Sequence, residues 1–108
     1  MVTVSTHVLD AAAGQPAAGV RVTLEARGPA NLWGPAGDGT TDDDGRFRFP
    51  AGLARGEYRL TFGSGEYFAA QGVATFYPSV IVTFMTAAGH YHVPLLLSPF
   101  AYSTYRGS

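Results

Sequence analysis

Apolar and polar residues alternate along much of this chain, which is the pattern of β-strands that bury one face. Strands of this kind are predicted at residues 2–10, 20–25, 46–49 and 58–62. In the first of them, Val4, Thr6 and Val8 share one face, whereas Ser5 and His7 share the other. A sequence with this period predicts sheets that have one side in a core and one side in water.

Two more strands are predicted near the C-terminus. Residues 79–86 are uncharged and mostly apolar and contain no proline. Such a strand would promote aggregation if it were left unpaired, so it is expected to be central in a sheet or covered at a subunit interface. In residues 88–98 the alternation places His90 and His92 on the same face.

Between the predicted strands, the sequence predicts turns, a loop and one short helix where the strand alternation stops. Residues 40–46 predict a turn, because aspartate side chains bond to nearby backbone and Gly45 allows a positive φ. Residues 64–72 predict a short helix with Ser64 as N-cap and Gly72 at its end. Residues 28–39, rich in glycine and proline, predict a loop or a poorly specified edge strand.

Seven or eight short strands and one helix predict an all-β protein, an antiparallel β-sandwich formed by a single domain over residues 1–108. The composition agrees, with 46% hydrophobic and 13% aromatic residues. A net charge of −1 gives no basic surface for nucleic acid or for a membrane, so neither is an expected partner. No secretory signal is visible in the N-terminal residues, and cytoplasmic localisation is expected.

Residue types that are missing exclude several kinds of chemistry. The chain has no cysteine, which excludes disulfides, thiolate catalysis and cysteine-based zinc sites. All seven basic residues are arginine, so Schiff-base chemistry on lysine is excluded as well. The spacing of residues 42–44 lacks the ligand pattern of a calcium loop.

Three interpretations of the histidine pair follow from the pattern alone. His90 and His92 could be surface residues, two ligands of a metal site, or groups for acid–base catalysis near neutral pH. A third metal ligand is not evident nearby in the sequence. His7 and Arg46 could likewise be ordinary solvated strand residues. The residue pattern leaves these alternatives open.

Four segments resemble the transthyretin-like family, and within it the enzyme branch rather than the hormone carrier. The segments are Ser5–Asp10, Gly14–Val20, Thr41–Arg46 and His90–Ser108. The resemblance implies a transthyretin-type sandwich of two four-stranded sheets with one short helix. It also implies a homotetramer, a dimer of dimers, whose active sites lie at the dimer–dimer interface and are lined by two subunits. The exposed strand at residues 79–86 would then be covered.

The same resemblance implies a set of site residues. His7, Arg46 and His92 would be catalytic, and His7 and Arg46 would also bind substrate. The C-terminal residues that would complete the substrate site are Tyr105, Arg106, Gly107 and Ser108. His90 would lie beside the site without carrying the chemistry. No metal and no cofactor would be needed, because the substrate is already a reactive imide-like ring.

The activity that the resemblance implies is hydrolysis of 5-hydroxyisourate to 2-oxo-4-hydroxy-4-carboxy-5-ureidoimidazoline in urate degradation. One alternative is a transthyretin-like carrier that binds a small hydrophobic ligand in the tetramer channel. Another is a structural or interaction sandwich. The carrier would have an apolar channel without the histidine, arginine and tail residues, and the interaction domain would usually have a signal peptide or disulfides.

Overall fold

A computed structural model describes all residues of the chain, from Met1 to Ser108. Nine strands and one α-helix follow one another along it. They are β1 (Val2–Asp10), β2 (Gln15–Pro16), β3 (Arg21–Arg27), β4 (Trp33–Thr40), β5 (Arg46–Arg48), β6 (Glu57–Phe62), α1 (Ser64–Ala69), β7 (Val80–Met85), β8 (Gly89–Ser98) and β9 (Ala101–Thr104). A 3₁₀ turn over Pro29–Asn31 precedes β4.

The strands form two sheets, which confirms the predicted all-β sandwich with one short helix. The first sheet has the order β2-β1-β8-β9, and β5 also pairs with β1. The second has the order β4-β3-β6-β7. The first sheet therefore has five strands rather than the expected four, because the two-residue strand β2 and β5 share one edge of β1.

One strand pair departs from the expected antiparallel pattern. β1 and β8 run parallel over the whole of β1, from Val2 beside Gly89 to Asp10 beside Leu97. All other pairs are antiparallel. Parallel neighbours need a long crossover connection, and here the chain passes through the entire second sheet between the two strands.

The core lies between the sheets and contains sixteen buried apolar residues. The inward faces predicted from the alternation are correct, since Val4, Thr6 and Val8 are all buried. The hydroxyl of buried Thr6 donates a hydrogen bond to the carbonyl oxygen of Val93 at 2.6 Å. This bond satisfies a polar group that would otherwise be costly to bury.

The glycine-rich segment at residues 28–39 contributes an edge strand, which was one of its two predicted forms. A Cβ at Gly39 would lie 2.2 Å from the ring of Phe47, and one at Gly37 would lie 2.9 Å from the ring of Phe49. Both rings come from the segment of β5, and they meet edge to face with centroids 4.8 Å apart. The glycines of β4 therefore provide the space in which the phenylalanines anchor β5 to the core.

The predicted helix forms, with one wrong N-terminal detail. Its N-cap is Gly63, and Ser64 is already its first residue, so the predicted N-cap role of Ser64 is wrong. The C-terminal prediction is confirmed, since Gly72 has a φ of +69°. The amides of Gly72 and Val73 donate to the carbonyls of Ala69 and Phe68, the two bonds of a Schellman motif.

Strand β7 is at an edge of the second sheet, so a central position for residues 79–86 was wrong. Ile81 and Met85 remain 52% and 68% exposed. Large apolar side chains on a free edge strand are a feature that proteins usually protect from solvent. Coverage at a subunit interface stays a prediction. None of the helices has the length and apolar character needed to cross a membrane.

Candidate active site

The outer face of the first sheet brings polar side chains from three strands together. In the parallel register of β1 and β8, Ser5 lies beside His92. In the antiparallel register of β1 and β5, His7 lies opposite Arg46. Residues of odd number on β1 and of even number on β8 and β5 point outward, away from the core. The two registers thus place the predicted His7, Arg46 and His92 on one surface.

The position of Arg46 depends on the turn that precedes it. One carboxylate oxygen of Asp42 accepts hydrogen bonds from the backbone N–H groups of Asp44 and Arg46, both at 2.9 Å. Gly45 has a φ of +76°, and a Cβ there would lie 2.3 Å from the carbonyl oxygen of Val8. The turn predicted for these residues is confirmed. It fixes the start of β5 against β1, which places Arg46 beside His7.

A polar cleft of about 380 Å³ opens on this surface. Its lining residues are Ser5, Thr6, Asp42, Arg46, Phe47, Arg48, His90, His92 and Ser108. Three predicted site residues, Arg46, His92 and Ser108, line it together. His7 is partly buried next to Arg46 without lining the cleft itself.

The C-terminal tail is tied to β8 at His92. The amide of Gly107 donates a hydrogen bond to the carbonyl oxygen of His92 at 2.8 Å. A Cβ at Gly107 would lie 2.6 Å from Cδ2 of the His92 ring and 3.2 Å from Cγ of Pro94. Only a residue without a side chain can approach the ring so closely. The backbone of the tail at Gly107 therefore packs directly against the His92 ring and helps to hold it in position.

Tyr105 and Arg106 line a different, mostly apolar cavity of about 540 Å³ between the tail and β7. Cζ of Arg106 lies 4.3 Å from the centroid of the Tyr91 ring, within the range of a cation–π contact. His92 borders this cavity as well as the polar cleft. Within one chain, the structure therefore separates these two predicted residues from Arg46.

The environment of His92 favours its neutral form. Burial lowers the pKa of His92 below its ordinary value of 6.5, and the positive charges of His90, His7 and Arg46 lower it further. A neutral imidazole carries an unprotonated nitrogen that can accept a proton. His92 is thus suited to act as a general base near neutral pH.

A comparison with known protein families shows to which family the chain belongs. The model of the HIUase/Transthyretin family matches residues 4–107. The chain belongs to this family. The match spans almost the entire sequence, so both sheets and the tail are included in it.

Relatives from both branches of the family resemble the chain. The 5-hydroxyisourate hydrolase of Salmonella dublin is 46% identical over 109 residues, which cover 96% of this chain and 79% of the relative. The structure of 5-hydroxyisourate hydrolase from Klebsiella pneumoniae matches with a TM-score of 0.88 at 37% identity, covering 98% of this chain and 99% of that one. Sea bream transthyretin in complex with thyroxine matches with a TM-score of 0.93 at 29% identity, covering 96% and 93%. The transthyretin-type fold is thus confirmed.

Several residues of the cleft were not predicted from the sequence as members of the site. Ser5 had been placed on the face of His7, but nothing in the pattern linked it to His92. Asp42 belongs to the predicted turn, and Arg48 belongs to the strand predicted at residues 46–49. The alternation of β5 was the one signal for Arg48, because it puts Arg46 and Arg48 on the same face.

Proposed function

We propose that this family member hydrolyses 5-hydroxyisourate to 2-oxo-4-hydroxy-4-carboxy-5-ureidoimidazoline in urate degradation. The observation that carries the proposal is the polar cleft in which His92, with its lowered pKa, lies with Arg46. The hydrolases among the relatives support the same reaction. In this reaction water adds to the C6 carbonyl of the substrate ring, and the C6–N1 bond then breaks.

Arg46 is proposed to hold the substrate. Its guanidinium presents several N–H donors in a rigid plane, which suits the carbonyl oxygens of a flat ring. When water adds, negative charge develops on the C6 oxygen, and a nearby cation stabilises it. His7, which lies opposite Arg46, is proposed to orient the water or the ring.

His92 is proposed to be the general base. Its neutral ring removes a proton from the attacking water, and the protonated ring can later give a proton to the leaving nitrogen N1. Gly107 and Ser108 would complete the wall of the site, since the tail is bonded to the His92 backbone and Ser108 lines the cleft.

We further propose that the protein works as a homotetramer, a dimer of dimers with its sites at the dimer–dimer interface. The exposed Ile81 and Met85 on the β7 edge and the 59% exposed Tyr105 are apolar surface that such contacts would cover. Tyr105 and Arg106 line the apolar cavity and not the polar cleft of their own chain. These two residues would therefore contact only substrate that is bound in the cleft of a neighbouring subunit, so that each site would be lined by two subunits.

The remaining parts of the proposal concern the whole protein. Residues 1–108 are proposed to act as one domain on a small-molecule substrate, with no nucleic acid or membrane as partner. The proposed location is the cytoplasm, where cell fractionation should find the activity.

A carrier function is the less favoured alternative. The complex of sea bream transthyretin with thyroxine raises this alternative for the fold. However, histidine, arginine and aspartate side chains line the cleft on the outer face of the first sheet. Binding of a hydrophobic ligand there would desolvate these charged groups without pairing them.

The direct test is an activity assay. Purified protein is added to freshly prepared 5-hydroxyisourate, and the decay of its ultraviolet absorbance is followed. We expect a decay faster than the spontaneous one and proportional to enzyme concentration. Decay at the spontaneous rate, from protein that light scattering shows to be a folded tetramer, would contradict the hydrolase function. Tight thyroxine binding without hydrolysis would favour the carrier.

The lowered pKa of His92 predicts the pH dependence. Because the ring loses its proton at a lower pH than free histidine, kcat/KM should rise with pH along a limb whose midpoint lies below 6.5. A histidine that is harder to protonate when folded also makes stability fall as the pH drops through 6.5 toward the folded pKa.

The measurement is a pH series of kcat/KM, corrected for spontaneous decay, together with an NMR titration of the His92 ring. His92→Gln identifies the ring signal that disappears. A midpoint at or above 6.5 for His92 would contradict the prediction.

A further inference from the structure

A row of hydrogen bonds runs from His92 through the Ser5 hydroxyl of β1 to His90 and then to the Thr3 hydroxyl of the same strand. Nδ1 of His92 is 2.8 Å from Oγ of Ser5. The same oxygen is 2.9 Å from Nε2 of His90, whose Nδ1 is 2.6 Å from Oγ1 of Thr3. The parallel register creates this row, because it places Ser5 beside His92 and Thr3 beside His90.

Proton counting shows what the row can do. A serine hydroxyl has one hydrogen, so Ser5 donates to one histidine and accepts from the other. When it donates to Nε2 of His90, it accepts from Nδ1–H of His92. Nε2 of a neutral His92 is then unprotonated and free to act as a base. This direction requires Nδ1–H of His90 to donate to Thr3, which its hydroxyl oxygen can accept.

We propose that Ser5 positions His92 with Nε2 unprotonated and relays its Nδ1 proton to His90 during hydrolysis. The inference rests on the proposed hydrolase function. As the water oxygen bonds to the C6 carbon, one water O–H bond breaks and its proton goes to Nε2 of His92. The Nδ1 proton of His92 then moves to Ser5 while the Ser5 proton moves to Nε2 of His90, which becomes the cation.

Collapse of the adduct reverses the relay. Nε2–H of His92 protonates the leaving nitrogen N1 as the C6–N1 bond breaks. The Ser5 proton returns to Nδ1 of His92, and His90 returns its proton to Ser5. The net transfer is one proton from water to N1, and no other reactant is consumed.

The surroundings of the two histidines give the relay a driving force. His92 is partly buried, and its neighbours His7 and Arg46 oppose a positive charge on its ring. His90 is exposed, so water solvates the cation there. The other charged side chains that line the cleft beside the histidines are Asp42, Arg46 and Arg48. Between the attack of water and the cleavage of the C6–N1 bond, the relay holds the positive charge on the exposed His90. Arg46 is then left to stabilise the oxyanion.

Three variants test the relay. Ser5→Ala removes the bridge, Ser5→Thr keeps a hydroxyl, and His90→Gln can still hydrogen-bond to Ser5 but cannot carry the cation. We expect Ser5→Ala and His90→Gln each to lower kcat roughly 10- to 100-fold with little change in KM, since the first removes the hydroxyl that bridges the two rings and the second removes the ring that carries the cation. The double variant should be no worse than either single one, because both act in one relay. Ser5→Thr should recover most of the lost kcat.

Solvent isotope effects and NMR add readouts that a purely structural role would not change. Wild-type kcat should depend on the D₂O fraction along a curve, as transfer of several protons requires, and the dependence should be linear in His90→Gln. The ¹⁵N spectrum should show His92 protonated on Nδ1 in the wild type and less so in Ser5→Ala. Ser98→Ala, at a half-buried serine outside the cleft whose hydroxyl donates to the carbonyl oxygen of Ala101, is the matched control.

The outcomes separate the relay from the reaction itself. Wild-type kcat in Ser5→Ala or in His90→Gln, in an active enzyme, overturns the relay and leaves the hydrolase function standing. Losses that multiply in the double variant also overturn it, because they indicate two independent effects. An inactive wild type would reject the proposed function and the relay together.

Discussion

Replacing His92 by alanine is expected to lower kcat by about 10²–10⁴-fold, the range typical of losing a general acid–base. The substitution removes the ring whose neutral form is favoured by burial and by neighbouring positive charge. It also removes the starting point of the row through Ser5. Substrate held by Arg46 should still bind, so KM should change much less than kcat.

Stability is the necessary control for this variant, since all three histidines lie on the same face and none can serve as a neutral comparison. His92 is only partly buried, so thermal unfolding should shift by a few degrees at most. Circular dichroism, the unfolding midpoint and the oligomer mass should match the wild type. A variant with normal kcat would remove His92 from the mechanism and transfer the role of base to His7.

The strands and their buried faces could be predicted because alternation is a local property of the sequence. The outward side of β1 followed directly from the period of two, which placed Ser5 and His7 together. The helix end was equally local, since Gly72 adopts the positive φ that its position requires. The N-cap prediction for Ser64 was wrong because serine is common at that position before an apolar stretch. Here Gly63 is the N-cap, and Ser64 is the first residue of the helix.

Strand pairing could not be predicted, because it joins residues far apart in the chain. The parallel register of β1 with β8 is what puts Ser5 between His90 and His92, and no local pattern specifies it. The edge strand β4 was ambiguous for a similar reason. Gly37 and Gly39 are explained only by the rings of Phe47, in β5 of the other sheet, and of Phe49, the residue that follows β5. The candidate residues came from the family resemblance, and their grouping came from the structure.

The tail shows the same division between sequence and structure. The family resemblance implied that its last four residues belong to the site, but the contact that gives Gly107 its role is with the ring of His92, fifteen positions earlier in the chain. Tyr105 and Arg106, adjacent in sequence to Gly107, line another cavity. Sequence proximity therefore did not predict which tail residues share the polar cleft.

Gly107→Ala is expected to lower kcat about 100-fold, the loss that a displacement of about 1 Å at a catalytic group can cause. The added Cβ would lie 2.6 Å from Cδ2 of His92, a distance that real Cβ atoms do not tolerate. Either the ring rotates away from Ser5 or the tail separates from β8 and breaks the bond between the Gly107 amide and the His92 carbonyl. Both changes misplace the base.

Gly34→Ala is the matched control, because it makes the same chemical change on β4 of the other sheet. No heavy atom lies within 4 Å of a Cβ at Gly34, so full activity and nearly unchanged stability are expected. Activity and thermal unfolding of both variants should be measured side by side. Wild-type kcat in Gly107→Ala would mean that the tail can move without moving His92. The backbone of the tail would then not position the His92 ring, and only the side chains of the tail could contribute to the site.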